Sequence, residues 1–351
     1  MKAAILLKPG VLKVREIETP KYEDNEVLVR VKRCGICGSD ILRVWEAGAR
    51  KYPIVLGHEF SGDIYAIGKG IKNSNLKKGD RVTVMPCIPC KKCRFCLEGK
   101  YFHCTNYNFL GSRRNGAFAE FINVSYENVV PLSKGISYEE GIFIEPLSVS
   151  LHALKKVGNI IGKDIAIFGL GTIGNFIAQW AKLMGARKIF CVEINKKRLN
   201  IAKLLRLGKL ISPYETKVVE TIFDNTEGEG VDVAIECSGS IECTEQAFEV
   251  AKKTGSVLII GWIWGKKGNS VINTKIFENI VRKELQVFGS IGYDSNLMVQ
   301  RNWEFCINCL YKNKISVEPL ITHSFKLDDV EHVFKMIREG KEEHMKILLE
   351  L

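Results

Sequence analysis

No stretch of the 351-residue chain stays apolar for the roughly 18–20 residues that a bilayer-spanning helix needs. Met1 to Pro9 hold an apolar stretch too short for a secretory signal, and they read as a first strand. A cytoplasmic location is the expectation. There is no internal repeat and no low-complexity segment, which sets aside solenoid and disordered architectures. The net charge is +11, yet Lys and Arg are dispersed, with short clusters only at Lys196-Lys197-Arg198 and Arg113-Arg114. A long basic stripe with interleaved aromatics is absent, so neither a nucleic-acid nor a membrane partner is expected. Small phosphorylated ligands remain compatible with the two clusters.

What is present is cysteine, twelve residues of it. In a chain of ordinary globular composition this number argues for metal ligation and core thiols rather than a disulfide framework. Cys90, Cys93, Cys96 and Cys104 are spaced C-x2-C-x2-C-x7-C. Four thiolates in that arrangement can close around one tetrahedral zinc, which takes four sulfurs when it serves only as a staple. Cys87 is the rival ligand and is left out, because the four that follow complete a site. Cys34, Cys191, Cys237 and Cys243 are expected to be buried thiols. Cys306 and Cys309 form another C-x2-C, but no second pair lies nearby and their surroundings read as a helix face. A second group, Cys37 with His58-Glu59, offers the mixed ligands of a catalytic zinc, though neither piece is diagnostic alone.

The length exceeds what one core usually supports, so two domains are expected. Residues 1–150 carry short β patterns broken by glycine and predict a β-rich, barrel-like domain with the cysteine lobe, about 87–105, inserted. From 151 to 290 the pattern alternates strand and helix, which predicts a parallel, doubly wound α/β sheet. Its strands are Asp164–Phe168, Lys188–Glu193, Val231–Glu236, Ser256–Ile260 and Leu285–Ser290. The helix after the first strand should bury Phe176, Ile177, Trp180, Leu183 and Met184 on one face. Residues 291–351 are expected to return to the first domain.

Between the first strand and that helix lies Gly169-Leu170-Gly171-Thr172-Ile173-Gly174. In this context the glycines serve a tight turn, close approach to a pyrophosphate and close helix–strand packing, with the helix N-terminus facing the phosphates. Glu193 ends the next strand, where an acid accepts from both ribose hydroxyls and repels a 2′-phosphate. NAD is therefore the expected cofactor, with Lys197 and Arg198 the residues that could tolerate NADP.

Cys37-Gly38-Ser39-Asp40, Gly57-His58-Glu59, the four-cysteine lobe, Glu145-Pro146-Leu147-Ser148-Val149 and Gly169–Gly174 together resemble the zinc-dependent medium-chain dehydrogenase family across essentially the whole chain. The resemblance implies a GroES-like catalytic domain with an inserted Rossmann domain, two zinc ions per chain, and a homodimer or homotetramer. It implies that Cys37, His58 and Glu145 hold the catalytic zinc, as in the polyol-dehydrogenase branch, with Glu59 as the neighbouring acid that can exchange onto it. Ser39 falls where the family places a proton-passing hydroxyl, and Arg43 is a candidate for substrate binding. Phe109–Gly116, with Arg113 and Arg114, resembles members acting on polyol phosphates, and two arginines suit a phosphate dianion. The implied reaction is oxidation of a secondary alcohol to a ketone. An unphosphorylated polyol or threonine is the alternative substrate, and a zinc-ribbon nucleic-acid binder is the alternative of another class.

Overall fold

The computed structural model describes residues 1–72, 75–262, 271–293 and 297–351. The chain divides into two units, Met1–Glu145 with Asp294–Leu351, and Pro146–Tyr293.

The first unit is built on the strand Glu26–Gly35, whose alternate valines Val27, Val29 and Val31 are fully buried. Alternation of this kind places every second side chain on the core face. Glu59–Ile67, Phe121–Ser125 and the C-terminal strand Lys346–Glu350 all pair with it antiparallel. They belong to a seven-stranded sheet, beside a three-stranded sheet of Val11–Glu16, Lys2–Lys8 and Ile54–Val55. Through Lys346–Glu350 the end of the chain is laid directly beside the segment that leads into Cys37. Cys306 and Cys309 are buried on the helix Leu297–Tyr311 as packing residues.

The second unit is a six-stranded sheet in the order Lys209–Ile211, Lys188–Val192, Asp164–Phe168, Val231–Glu236, Ala251–Ile259, Gln286–Gly289. Every pairing is parallel. Strand order reverses between Asp164–Phe168 and Val231–Glu236, and in such sheets the ligand crevice lies outside the strand carboxyl ends at that point. Asp164–Phe168 is buried along its whole length, as a central parallel strand covered on both faces must be. The helix Thr172–Leu183 departs from expectation. Phe176, Ile177 and Trp180 are buried, but Leu183, at its last turn, is 42% exposed. Asn175 and Gln179 are buried instead, and Gln179 Nε2 donates to Asn175 Oδ1 at 2.9 Å, so the helix is enclosed on every side from Gly174 to Ala181 and exposed only at its last turn. Cys34 and Cys191 are buried, whereas Cys237 and Cys243 are only half-buried.

No helix among the described residues is long and apolar enough to cross a membrane.

Candidate active site

Cys37 is the N-cap of the helix Gly38–Trp45, a position that leaves its side chain at the helix mouth. Asp40 closes a capping box: its Oδ2 accepts from Cys37 N at 3.1 Å. The other oxygen of Asp40 lies 3.6 Å from His58 Nδ1, and neither atom has a hydrogen-bond partner among the described residues. Asp40 is entirely buried, so this carboxylate faces the imidazole in surroundings closed to bulk solvent. Burial lowers the His58 pKa, but Asp40 outweighs it, and the ring is held well above its ordinary value with Cys37 contributing. His58 follows Gly57, whose φ of +90° belongs to the left-handed region that glycine adopts without strain. A Cβ there would also overlap the ring of Phe118.

Glu59 opens the next strand opposite Gly35, where an added Cβ would stand 2.6 Å from the Glu59 carboxylate. The absence of a side chain at Gly35 gives Glu59 its room. Lys346 fills the remaining side: its Nζ donates to Glu59 Oε2 at 2.6 Å and to Ile36 O at 3.3 Å. Both side chains of this pair are only 3% exposed.

The donor atoms of Cys37, His58 and Glu59 lie within 4.8 Å of one another, a thiol, an imidazole and a carboxylate converging on one point. Such a set fits zinc, whose imidazole ligand commonly has a carboxylate behind it, here Asp40. Glu145 stands outside this mutually close group. It is buried at the first turn of the helix Ile144–Lys156, and burial pushes its carboxyl up to about 7, with His58, Glu59, Lys346 and Asp40 all acting on it. The structure therefore brings Glu59 rather than Glu145 into the tight group. A cation at the cluster would favour the ionised Glu145 and so could recruit it.

Ser39 and Arg43 share the Gly38–Trp45 helix. Arg43 Nη1 donates to Ser39 Oγ at 2.7 Å and sits 3.6 Å from Asp40 Oδ1, so its charge is held within its own helix turn.

The four thiols of the lobe also converge, with Cys90, Cys93, Cys96 and Cys104 within 4.8 Å of one another. Sγ of Cys96 is 3.9 Å from that of Cys90 and 3.5 Å from that of Cys93. Tetrahedral zinc with sulfurs at about 2.3 Å sets its ligand atoms about 3.8 Å apart, so the spacing fits. Backbone N–H groups of Thr105 and Cys96 pull the Cys93 thiol down to about 6, which provides a thiolate near neutral pH. Cys87 is buried on a short strand with Phe109 opposite, and burial pushes its thiol up to about 12; it lies outside the group. Replacing Cys90 and Cys93 together by Ala should therefore remove one zinc per chain by metal analysis, with Cys87 intact. Retention of that zinc would show that Cys87 is a ligand.

In the second unit Gly169 has φ +89°, and a Cβ on Gly174 would overlap Gly169 O, so the turn closes only with glycine at both. Gly171 caps the helix, and Thr172 and Ile173 begin it, half-exposed. Glu193 underlies the turn: Oε2 accepts from Leu170 N at 2.7 Å, and Oε1 from Ile194 N and Asn195 N at 2.8 and 3.0 Å. Arg198 Nη1 is 3.7 Å from Glu193 Oε2, so one of the two cations that could welcome a 2′-phosphate is already drawn to the acid.

Arg113 and Arg114 do not form the expected phosphate pair. Arg114 Nη2 donates to buried Glu26 at 2.6 Å, and the guanidinium of Arg113 lies 4.0 Å from the Tyr107 ring centroid. Neighbours in sequence, they turn to different partners, and Arg114 is a structural cation.

Asp40 and Lys346 are the site residues that sequence reasoning passed over. Asp40 stands three residues after an N-cap, the capping-box position, which was a usable signal. Nothing local marks Lys346, which is 287 residues from Glu59.

Two family models match the chain: the alcohol dehydrogenase GroES-like domain over residues 23–134 and the zinc-binding dehydrogenase over residues 172–308. The galactitol 1-phosphate 5-dehydrogenase of Escherichia coli K12 is 35% identical over 324 residues, 92% of each chain. The L-threonine 3-dehydrogenase of Pyrococcus furiosus is 32% identical over 331 residues, 93% of this chain and 92% of that one. The crystal structure of galactitol-1-phosphate dehydrogenase from Escherichia coli superposes with a TM-score of 0.90, at 33% identity and 100% of both chains.

Proposed function

Because this chain belongs to the zinc-dependent medium-chain dehydrogenase family, we propose that it oxidises a secondary alcohol of a polyol phosphate to a ketose phosphate with NAD. Galactitol 1-phosphate going to tagatose 6-phosphate is the specific reaction put forward. The observation that carries the substrate is the 35% identity, over 92% of both chains, to a galactitol 1-phosphate 5-dehydrogenase. NAD rather than NADP rests on Glu193, whose carboxylate occupies the strand end beside the glycine turn.

Cys37, His58 and Glu145 are the proposed zinc ligands, with Glu59 adjacent; Cys90, Cys93, Cys96 and Cys104 would hold the structural ion. When bound, zinc supplies a Lewis acid for the substrate oxygen and the nicotinamide an acceptor for hydride. Asp40 faces the His58 ring and orients it. Lys346 offsets the negative charge of Glu59, so the cluster need not hold several uncompensated anions in a buried space. The Ser39 hydroxyl takes the alcohol proton toward solvent, and Arg43, bonded to Ser39 Oγ, keeps that hydroxyl oriented. The balance is alcohol plus NAD⁺ giving ketone, NADH and a proton.

One observation favours a second reading. Arg114 is bonded to Glu26, so the two arginines are not poised as a pair, which suits an unphosphorylated polyol or threonine. A panel of galactitol 1-phosphate, free galactitol, sorbitol and threonine, followed by NADH absorbance with and without chelator, decides between them. A kcat/KM at least tenfold higher for the phosphate is expected. Equal rates on galactitol and its phosphate would remove the polyol-phosphate assignment.

The homodimer or homotetramer implied by the family could use the sheet edge at Gln286–Gly289, which pairs on one side only among the described residues. Light scattering at the monomer mass would refute that assembly.

A further inference from the structure

Glu236 ends the strand Val231–Glu236 at the point where strand order reverses, and it is completely buried. A carboxylate in such a place needs donors, and it has them from the turn that follows. Oε1 accepts from Ser238 N at 2.6 Å, from Gly239 N at 2.9 Å and from the Ser238 hydroxyl. Its backbone carbonyl accepts from Ile260 N and Gly261 N at 2.9 and 3.0 Å, so the same residue also holds the end of the neighbouring strand Ala251–Ile259. Among the described residues, Oε2 has no partner. Gly261 is pressed against it, and any side chain there would overlap the carboxylate.

The held turn is itself a wall of the dinucleotide crevice. Cys237 N donates to Phe168 O at 2.9 Å, and an added Cβ on Gly169 would stand 2.8 Å from Ser238 Cβ. Ser238 thus lies against the first glycine of the phosphate turn, exposed on its outer side while Glu236 is sealed beneath it. Ser238 also accepts from Ser240 N at 3.0 Å, and Ser240 caps the next helix. The glycine turn has Glu193 under one side and this clamp on the other.

We propose that Glu236 is a positioning residue for the dinucleotide: it clamps the Ser238–Gly239 turn against Gly169 and thereby sets the width of the crevice that receives the cofactor. This rests on the dinucleotide reading given above. The clamp works through acceptor geometry rather than charge. Burial pushes the Glu236 carboxyl up although the Ser238 and Gly239 donors pull it down, so a neutral amide that keeps one oxygen in place should serve.

The test is NADH fluorescence titration of the zinc-loaded protein, with steady-state kinetics alongside. Glu236→Ala should raise the NADH Kd and the KM for NAD about tenfold or more while kcat at saturating NAD stays within about threefold. Glu236→Gln should remain within about threefold of the parent, and Ser238→Ala, which removes one donor of three, should fall between them. Zinc content should be unchanged in all. If Glu236→Ala does not fold, Ser238→Ala and Glu236→Gln decide. An unchanged Kd in Glu236→Ala or, where that variant is lost, in Ser238→Ala overturns the proposal. Equal impairment of Glu236→Gln and Glu236→Ala overturns it too, since charge rather than geometry would then matter. A parent protein that binds no NADH sinks the dinucleotide reading and this inference with it.

Discussion

His58→Ala is expected to lower turnover by about a thousandfold or more, equivalent to ~4 kcal/mol of transition-state stabilisation, while NADH still binds. The imidazole is one of the three convergent donors of the Cys37–His58–Glu59 group and has the buried Asp40 carboxylate 3.6 Å from its Nδ1. Removing it takes away a donor and leaves Asp40, fully buried, with its Oδ1 facing a cavity. Glu145→Ala should have a comparable effect if that carboxyl joins the set when a cation is present. The glycine turn lies in the other unit of the chain, so NADH titration should report a Kd close to the parent's. Substantial activity in either variant, or in protein stripped of zinc, would refute the mechanism. Loss of NADH binding together with activity would point instead to a general collapse of the fold.

Lys346→Met should destabilise the protein by about 3–5 kcal/mol, the usual cost of stranding one member of a buried ion pair. The ammonium and the Glu59 carboxylate are 2.6 Å apart and each only 3% exposed, so water cannot take over the lost role. Methionine matches the stem of lysine but offers no charge to Glu59. Burial alone would lower the Lys346 pKa, yet Glu59, Cys37 and Glu145 outweigh it and raise it above 10.5. The sign follows: a cation with a raised folded pKa contributes its full stability below 10.5 and loses it as pH climbs through the folded value. The effect of the substitution should accordingly be constant across neutral pH. The measurement is the thermal or urea midpoint of the zinc-loaded protein. The double variant Lys346→Met with Glu59→Gln should recover part of the loss, because no charge is then left unpaired. A midpoint equal to the parent's in the single variant would show that the pair contributes nothing.

Short-range features were legible because their chemistry is written in spacing. Four thiols within fifteen positions, Cys90 to Cys104, have few ways to be arranged other than around a common centre, and the structure finds their sulfurs together. Gly169 and Gly174 were readable for the same reason, since a strand must turn into a helix within a few residues and only glycine fits at those two positions. Arg113 and Arg114 show the limit. Adjacent arginines read as one cationic site, but consecutive residues in a turn point apart, and a buried Glu26, distant in sequence, claimed one of them.

Sequence by itself determined the architecture, a β-rich unit followed by a doubly wound one, because periodicity of apolar residues and the placement of glycine are local properties of the chain. It also singled out the cysteine, histidine and carboxylate candidates for metal ligation. Tertiary structure alone decided which charges meet. The Lys346–Glu59 pair and the Asp40–His58 contact both depend on which polar groups are shut away from water together. Burial multiplies the strength of an electrostatic contact, and burial is settled only when segments far apart in the chain are packed side by side.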